Sequence, residues 1–310
     1  MSQPVIFLMG PTASGKTGLA VELVEHLPCE IISVDSAMVY RGMDIGTAKP
    51  AADIVARAPH RLIDILDPAE PYSAARFRDD ALHEIAAIHA QNRIPLLVGG
   101  TMLYFRALRM GLSTLPSAEP ELRARITAEA ESLGWQEMHR RLAEKDPQAG
   151  VRIHPNDAQR IQRALEIIEL TGVTPSRHYE TDLPLQPWTV HALGLAPANR
   201  EILHTRLAER FHHMMAQGFL DEVRRLHARS DLDPDKPALR AVGYRQLWQH
   251  LDGHFSLEEA VQRGIYASRH LAKRQLTWLR REPPDSWLDS NAADLRAQAL
   301  RKLAVAGITA

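Results

Sequence analysis

A glycine-rich octet near the amino terminus constrains the fold of this chain more than any other segment. Residues 10–17 read GPTASGKT and match the pattern G-x-x-x-x-G-K-[ST] at every fixed position. An apolar run, VIFLM, precedes the octet, and a helical pattern begins near Thr17. In such loops backbone N–H groups converge on phosphate oxygens, a lysine adds charge, and a hydroxyl can hold Mg²⁺. The predicted phosphate-binding residues are Gly10, Pro11, Thr12, Ala13, Ser14, Gly15, Lys16 and Thr17, with Thr17 as the candidate Mg²⁺ ligand.

Short apolar segments predict buried strands at residues 5–9, 30–34, 94–98 and 190–195. Helical patterns separate the first three, including residues 73–91, which open with a capping serine. Strands that alternate with helices indicate a parallel sheet covered on both faces. We therefore predict an α/β fold, with a P-loop parallel-sheet core flanked by helices.

The middle of the chain differs from this alternating pattern. Residues 111–187 contain no convincing strand and at least two charged amphipathic helices, and prolines at 175, 184 and 187 mark the return to the core. We predict a helical insertion domain at 111–187. The catalytic core, with its C-terminal helices, then comprises residues 1–110 and 188–310.

Composition excludes several classes of protein. The 37 Lys and Arg residues balance 38 Asp and Glu residues, so attraction of the whole surface to nucleic acid is not expected, although a local basic patch is. A single cysteine, Cys29, excludes a disulfide framework and favours a cytoplasmic setting with a buried thiol. No apolar run approaches the roughly 20 residues that span a bilayer. The adjacent histidines 212 and 213 would point apart on a helix, so we expect no metal site there.

The acidic residue that P-loop enzymes usually carry at a neighbouring strand end is missing. The segment 94–98 runs into Gly99, Gly100 and Thr101, whereas Asp35 follows the second predicted strand. Parallel strands open on one carboxyl edge, so Asp35 and Thr101 should lie beside the phosphate loop. Two roles remain open for each residue: Asp35 acts on a substrate or caps a turn, and Thr101 contacts a substrate or caps a helix.

A basic segment near the carboxyl terminus suggests a polyanionic partner. Residues 260–281 contain six Lys and Arg residues and no acidic one. On a helical projection an apolar face is bordered by a polar stripe that suits RNA phosphates, although a solvated helix face would look similar. The apolar face comprises Ile265, Ala272, Leu276 and Leu279, and the stripe comprises Arg269, Lys273, Thr277 and Arg280.

Seven segments, in this order, resemble the bacterial tRNA dimethylallyltransferase family. They are GPTASGKT (10–17), DSAMVYRGMDIGTAKP (35–50), HRLIDILDP (60–68), GGTMLYFRAL (99–108), NDAQRIQRALEI (156–167), AVGYRQ (241–246) and KRQLTWLR (273–280). Family members often carry Gln at the position of Met38 and Phe at that of Leu279.

The resemblance implies a prenyltransferase that uses Mg²⁺ and dimethylallyl diphosphate. It implies transfer of the dimethylallyl group to N6 of the adenosine 3′ to the anticodon, in tRNAs that read codons beginning with U. Asp35 would accept the N6 proton and Thr101 would assist. We expect a monomer that binds the anticodon stem-loop. The tRNA-contacting residues implied are Asp35, Ser36, Ala37, Met38, Arg123, Gln159, Arg160, Ile161, Gln162, Arg163, Arg240, Ala241, Val242, Gly243, Tyr244, Arg245, Lys273, Arg274, Gln275, Leu276, Thr277, Trp278, Leu279 and Arg280.

Three other functions fit the phosphate loop. A small-molecule kinase would use ATP, with Asp35 activating a hydroxyl. An isopentenyltransferase acting on free adenine nucleotides would not need the insertion or the basic segment. An RNA-binding switch protein would bind GTP or ATP without consuming a prenyl donor.

Overall fold

The computed structural model describes residues 2–111, 115–116, 119–178 and 186–309. Its strands are β1 (Gln3–Met9), β2 (Cys29–Val34), β3 (His60–Arg61), β4 (Ile94–Gly99), β5 (Trp188–Ala196) and β6 (Ser286–Asp289). Its helices are α1 (Lys16–His26), α2 (Ala52–Arg57), α3 (Ala74–Ala90), α4 (Met102–Met110), α5 (Pro120–Leu133), α6 (Trp135–Lys145), α7 (Pro147–Arg152), α8 (Ala158–Thr171), α9 (Pro175–His178), α10 (Arg200–Ala216), α11 (Phe219–His227), α12 (Tyr244–Leu251), α13 (Leu257–Arg281) and α14 (Leu295–Val305).

The six strands form one parallel sheet in the order β3-β2-β4-β1-β5-β6. The predicted fold class is confirmed, as are the four predicted strands. The sequence did not indicate β3 and β6, which have two and four residues and too few apolar side chains to stand out. The central strand β1 lies between β4 and β5, so the phosphate loop that follows it lies at the middle of the carboxyl edge.

Helices cover both faces of the sheet, because the strands carry apolar side chains on both sides. In β1, Phe7 and Met9 contribute to the apolar cluster that includes residues of α3, α4 and α10 to α13, whereas Ile6 and Leu8 pack in the cluster with α1 and α14. Each such side chain, fully buried, contributes about 1.5–3 kcal/mol. Ser73 caps α3 as predicted, since its hydroxyl accepts a hydrogen bond from the N–H of Arg76.

The chain divides into two compact units, one comprising Met1–Arg109 and Gln186–Ala310 and the other Met110–Leu185. In its described part the second unit is helical, with α5, α6, α7 and α8 around a core that includes Leu142 and Ile161. Asp157 caps α8 by accepting from the N–H of Arg160. Pro184, predicted to mark the return to the core, lies outside the described residues.

Two smaller features concern the single cysteine and the lengths of the helices. Cys29 is fully buried, and burial raises the pKa of its thiol to about 12. Among the described residues, no helix has both the length and the apolar character that crossing a membrane requires.

Candidate active site

The phosphate loop leads from β1 into α1 with its backbone held in unusual conformations. Ala13 and Gly15 have φ of 63° and 87°, in the left-handed region. A Cβ at Gly10 would lie 2.3 Å from the carbonyl oxygen of Leu195, so only glycine fits against β5. No side chain caps α1, which leaves its first-turn N–H groups able to bind an anion.

The side chain of Lys16 bends back into the phosphate-binding cradle that residues 10–17 form. Its Nζ donates to the carbonyl oxygens of Gly10, at 2.9 Å, and Pro11, at 2.7 Å. Burial of the ammonium, followed by repulsion from Arg210, lowers its pKa to about 7, and attraction by Asp35 opposes this shift. Within the part of the chain that the structure describes, only carbonyl oxygens hold this ammonium, so it is a ready partner for an incoming diphosphate.

Asp35 and Thr101 meet at the carboxyl edge, where their strands place them. The Oδ1 of Asp35 accepts from the N–H groups of Ala37 (2.8 Å) and Met38 (3.3 Å), which fixes the turn after β2. The Oγ1 of Thr101 accepts from the N–H of Ser36 at 3.2 Å. One oxygen of Asp35 thus caps a turn, while no hydrogen bond within the described residues occupies the other.

Arg210 is a site residue that the sequence analysis missed. It lies on α10, and its guanidinium donates to the carbonyl oxygen of Thr47 at 3.4 Å. Burial lowers its pKa, and attraction by Asp35 opposes this effect. A signal was available: Arg210 interrupts the apolar face that Leu207, Phe211 and Met214 form at helical spacing.

Two cavities open at this edge. The larger, of about 2300 Å³, includes the phosphate loop, and the smaller, of about 420 Å³, includes Thr101, Phe211 and Trp278. Residues that line both cavities mark where they approach each other. They are Thr12, Asp35, Thr47, Gly100, Arg210 and Gln275.

Gln275 connects the phosphate loop to α13. Its Oε1 accepts from the N–H of Thr12 at 2.9 Å, and its Nε2 donates to the carbonyl oxygen of Gly100 at 2.8 Å. A Cβ at position 100 would lie 2.4 Å from that nitrogen, so Gly100 permits the contact. Helix α13, which carries the polar stripe, is therefore joined directly to the phosphate loop by hydrogen bonds.

A buried carboxylate fixes the loop after β2. Glu222, 1% exposed, accepts from the N–H groups of Asp44, Ile45 and Gly46 at 2.8–3.1 Å. It also accepts from the Tyr244 hydroxyl at 2.5 Å. Burial and the Glu222 charge raise the pKa of that hydroxyl. Glu222 thus joins the 44–46 loop, which precedes the cavity-lining Thr47, to α12.

The residues implied as tRNA contacts fall into three groups by exposure in the structure. Ile161, Gly243, Tyr244, Gln275 and Leu279 are buried, so the side chains of Tyr244 and Leu279 support the fold and are not exposed for stacking in this structure. The partly exposed ones are Asp35, Ala37, Met38, Arg123, Gln162, Arg163, Ala241, Val242, Leu276 and Trp278. The exposed ones are Ser36, Gln159, Arg160, Arg240, Arg245, Lys273, Arg274, Thr277 and Arg280.

In the second unit, two of these arginines hold a buried acid. Glu166, fully buried, accepts from Arg123 Nε at 2.9 Å and from Arg163 Nη1 at 2.5 Å. Burial alone would raise the pKa of Glu166, but the hydrogen bonds from both arginines outweigh it and lower the pKa. Arg123 and Arg163 therefore have a structural role, and each keeps an exposed fraction, 41% and 30% of its side chain.

Comparisons with known proteins agree with this architecture. The family model described as IPP transferase matches residues 38–282. The structure is similar to a tRNA isopentenylpyrophosphate transferase of Bacillus halodurans, with 38% identity, 99% of this chain and 96% of that chain covered, and a TM-score of 0.72. It is similar to one from Staphylococcus epidermidis, with 30% identity, 98% and 99% coverage, and a TM-score of 0.69.

A eukaryotic dimethylallyltransferase described as acting on tRNA is also similar, with 27% identity, 99% of this chain and 80% of that chain covered, and a TM-score of 0.83. The family match spans most of the chain, and the two bacterial relatives are covered almost end to end. The chain therefore belongs to the IPP transferase family.

Proposed function

We propose that this protein transfers the dimethylallyl group of dimethylallyl diphosphate to N6 of the adenosine 3′ to the anticodon, in tRNAs that read codons beginning with U. One observation carries the proposal beyond family membership. Asp35 lies where the phosphate-loop cavity and the smaller cavity approach each other, with one carboxylate oxygen fixed by a turn and the other available. A donor with its diphosphate in the larger cavity and its prenyl chain in the smaller one would meet there an adenine that enters the smaller cavity.

The diphosphate of the donor fits the phosphate-loop cavity. The uncapped N–H groups of α1, the Lys16 ammonium and the Arg210 guanidinium would stabilise the charge that builds on the departing diphosphate. The bond that breaks joins carbon to oxygen, so the enzyme does not need the acid that holds the metal in phosphoryl transfer. Apolar side chains of the smaller cavity, including Leu207 and Met214, suit the five-carbon chain.

Adenine N6 is a poor nucleophile, because its lone pair is delocalised into the ring. The available Oδ2 of Asp35 accepts the N6 proton as the bond between N6 and C1 of the prenyl group forms. The bond between C1 and oxygen breaks, and diphosphate leaves with the electron pair. Thr101, whose oxygen accepts from Ser36 N–H, keeps its own O–H free to donate to the diphosphate.

The residues of the cradle also fit Mg²⁺. Within the described residues there is no cluster of three or more His, Cys, Asp or Glu side chains able to hold a metal. Mg²⁺ needs no such cluster, because it keeps several waters and binds through substrate phosphates and one or two protein oxygens. The Thr17 hydroxyl would supply one oxygen, and the ion would neutralise charge on the diphosphate.

The tRNA would meet the exposed stripe of α13. Lys273, Arg274 and Arg280 are exposed and have no ion-pair partner among the described residues, as expected of groups kept for phosphates. In the second unit, Gln159 and Arg160 are exposed at the start of α8. The target adenosine must leave its stack to reach Asp35, as base-modifying enzymes require.

Transfer of labelled prenyl groups tests the proposal. The protein is incubated with isotopically labelled dimethylallyl diphosphate, Mg²⁺ and either tRNA or AMP. Label in tRNA, with little in AMP, is expected. Label mainly in AMP would identify an adenine-nucleotide enzyme. No label in either, with ATP-dependent phosphorylation of a metabolite or tight GTP binding, would favour the kinase or the switch protein.

A further inference from the structure

The outer face of α13 carries an aromatic pair that neither the cavities at the sheet edge nor the fold uses. Tyr266 is 64% exposed, an unusual state for a large aromatic side chain. Its ring lies 4.4 Å, centroid to centroid, from that of His270 one turn further along, and the planes are inclined by 53°. His270 is exposed as well.

A groove of about 630 Å³ runs beside this pair on the same side of α12 and α13. Its walls include Arg245, Arg263 and Arg269. Arg263 pairs with Glu259 and covers the ring of Phe255, but Arg245 and Arg269 have no ion-pair partner among the described residues. The Nε of Arg269 is buried and makes no hydrogen bond there. The groove thus offers two uncompensated guanidinium groups beside an exposed aromatic surface.

The groove continues the polar stripe of α13. Tyr266, His270 and Lys273 follow one another at helical spacing on the exposed side of the helix. Arg274, two turns beyond Tyr266 and about 12 Å along the axis, lines the smaller cavity beside the proposed adenosine site. One RNA strand can therefore lie along this helix from the cavity to the groove.

We propose that Tyr266 and His270 form a stacking platform for an unpaired nucleotide of the tRNA, with Arg245 and Arg269 binding its flanking phosphates. This inference rests on the proposed function, since it names a second nucleotide contact of the same substrate. Exposed aromatic rings beside unpaired arginines are the chemistry that recognises single-stranded RNA. A duplex keeps its bases stacked inside and offers this platform only phosphates.

Direct binding of tRNA, without prenyl donor, tests the platform. Tyr266→Leu keeps an apolar side chain but removes the ring, and we expect a loss of tRNA affinity of about tenfold, the effect of one base stack. Tyr266→Phe should bind like the wild type. Val305→Ala, at an apolar side chain that is 92% exposed on α14, is the matched surface control and should change nothing.

Two further measurements distinguish loss of a stacking contact from loss of a charge. They also distinguish failure of the platform from failure of the proposed function. Arg269→Gln should reduce the salt dependence of tRNA binding by about one counterion, whereas Tyr266→Leu should leave it unchanged. A blunt-ended RNA duplex should bind Tyr266→Leu and wild type equally. Unchanged tRNA affinity in Tyr266→Leu, or equal losses for tRNA and duplex, would overturn the platform while prenyl transfer stands. Failure of the wild type to prenylate tRNA that it binds would overturn the proposed function alone.

Discussion

Binding of diphosphate should be coupled to protonation of Lys16. In the free protein, burial and the Arg210 charge lower the pKa of Lys16 to about 7 from its ordinary 10.5. At pH 8 about nine-tenths of the molecules then carry a neutral Lys16. A diphosphate in the cradle favours the charged form and raises the pKa again.

The direction of the pH dependence follows from the difference in bound protons between the complex and the free protein. The complex binds more protons than the free protein between pH 7 and the raised pKa, so affinity falls as pH rises through this window. If the pKa returns to its ordinary value, about 0.9 proton is taken up per diphosphate at pH 8, and affinity falls by about tenfold per pH unit.

Calorimetric titration of inorganic diphosphate in buffers of different ionisation enthalpy measures this uptake. Lys16→Arg stays charged at every pH used, so it should show neither the uptake nor the added pH slope. Lys16→Met has no titratable group and should bind weakly without the slope. The ionisation of diphosphate itself is common to all three proteins. Equal proton uptake and equal pH slopes in wild type and Lys16→Arg would show that Lys16 is not the group that takes up the proton.

Three further predictions concern Asp35, Glu222 and Lys273. Asp35→Asn keeps the turn-capping oxygen but loses the base, so kcat should fall about 10²–10⁴-fold with tRNA affinity intact; a parallel loss of affinity would make Asp35 a structural residue. Glu222→Ala leaves four donors unpaired, one of them the buried Tyr244 hydroxyl, and should lower the free energy of unfolding by about 3 kcal/mol or more in urea titrations. Tyr244→Phe should lower it by less, and equal effects would show that Glu222 does not hold the 44–46 loop. Lys273→Ala should weaken tRNA binding and reduce its salt dependence by about one counterion. An unchanged salt dependence would show that Lys273 is a solvated side chain that contacts no phosphate.

The sheet was predictable because its strands are apolar on both faces. Segments such as 30–34 and 94–98 are short apolar runs between glycine, proline and serine, a pattern that few other structures produce. The phosphate loop was equally clear, since its glycines meet a backbone requirement. Strand β3 was not predictable, because two residues, His60 and Arg61, pair with β2 only through tertiary context.

The site was only partly predictable, since its chemistry depends on contacts between distant segments. The position of Asp35 follows from the parallel sheet. Which of its two oxygens accepts hydrogen bonds from the turn, and which stays available, depends on the turn geometry. Gln275 looked like one polar residue in a basic helix, yet it bonds to residues more than 170 positions away. Arg210 and Glu222 are charged residues on apolar helix faces, and what they contact is set by the fold.

Nucleoside analysis of tRNA after reaction measures the proposed N6 modification itself. A tRNA that reads codons beginning with U is incubated with the protein, dimethylallyl diphosphate and Mg²⁺, then digested and analysed by mass spectrometry. We predict an adenosine 3′ to the anticodon that carries one dimethylallyl group on N6, formed by the wild type and not by Asp35→Asn. Unmodified adenosine at that position after reaction with the wild type, or equal modification by Asp35→Asn, would contradict the account.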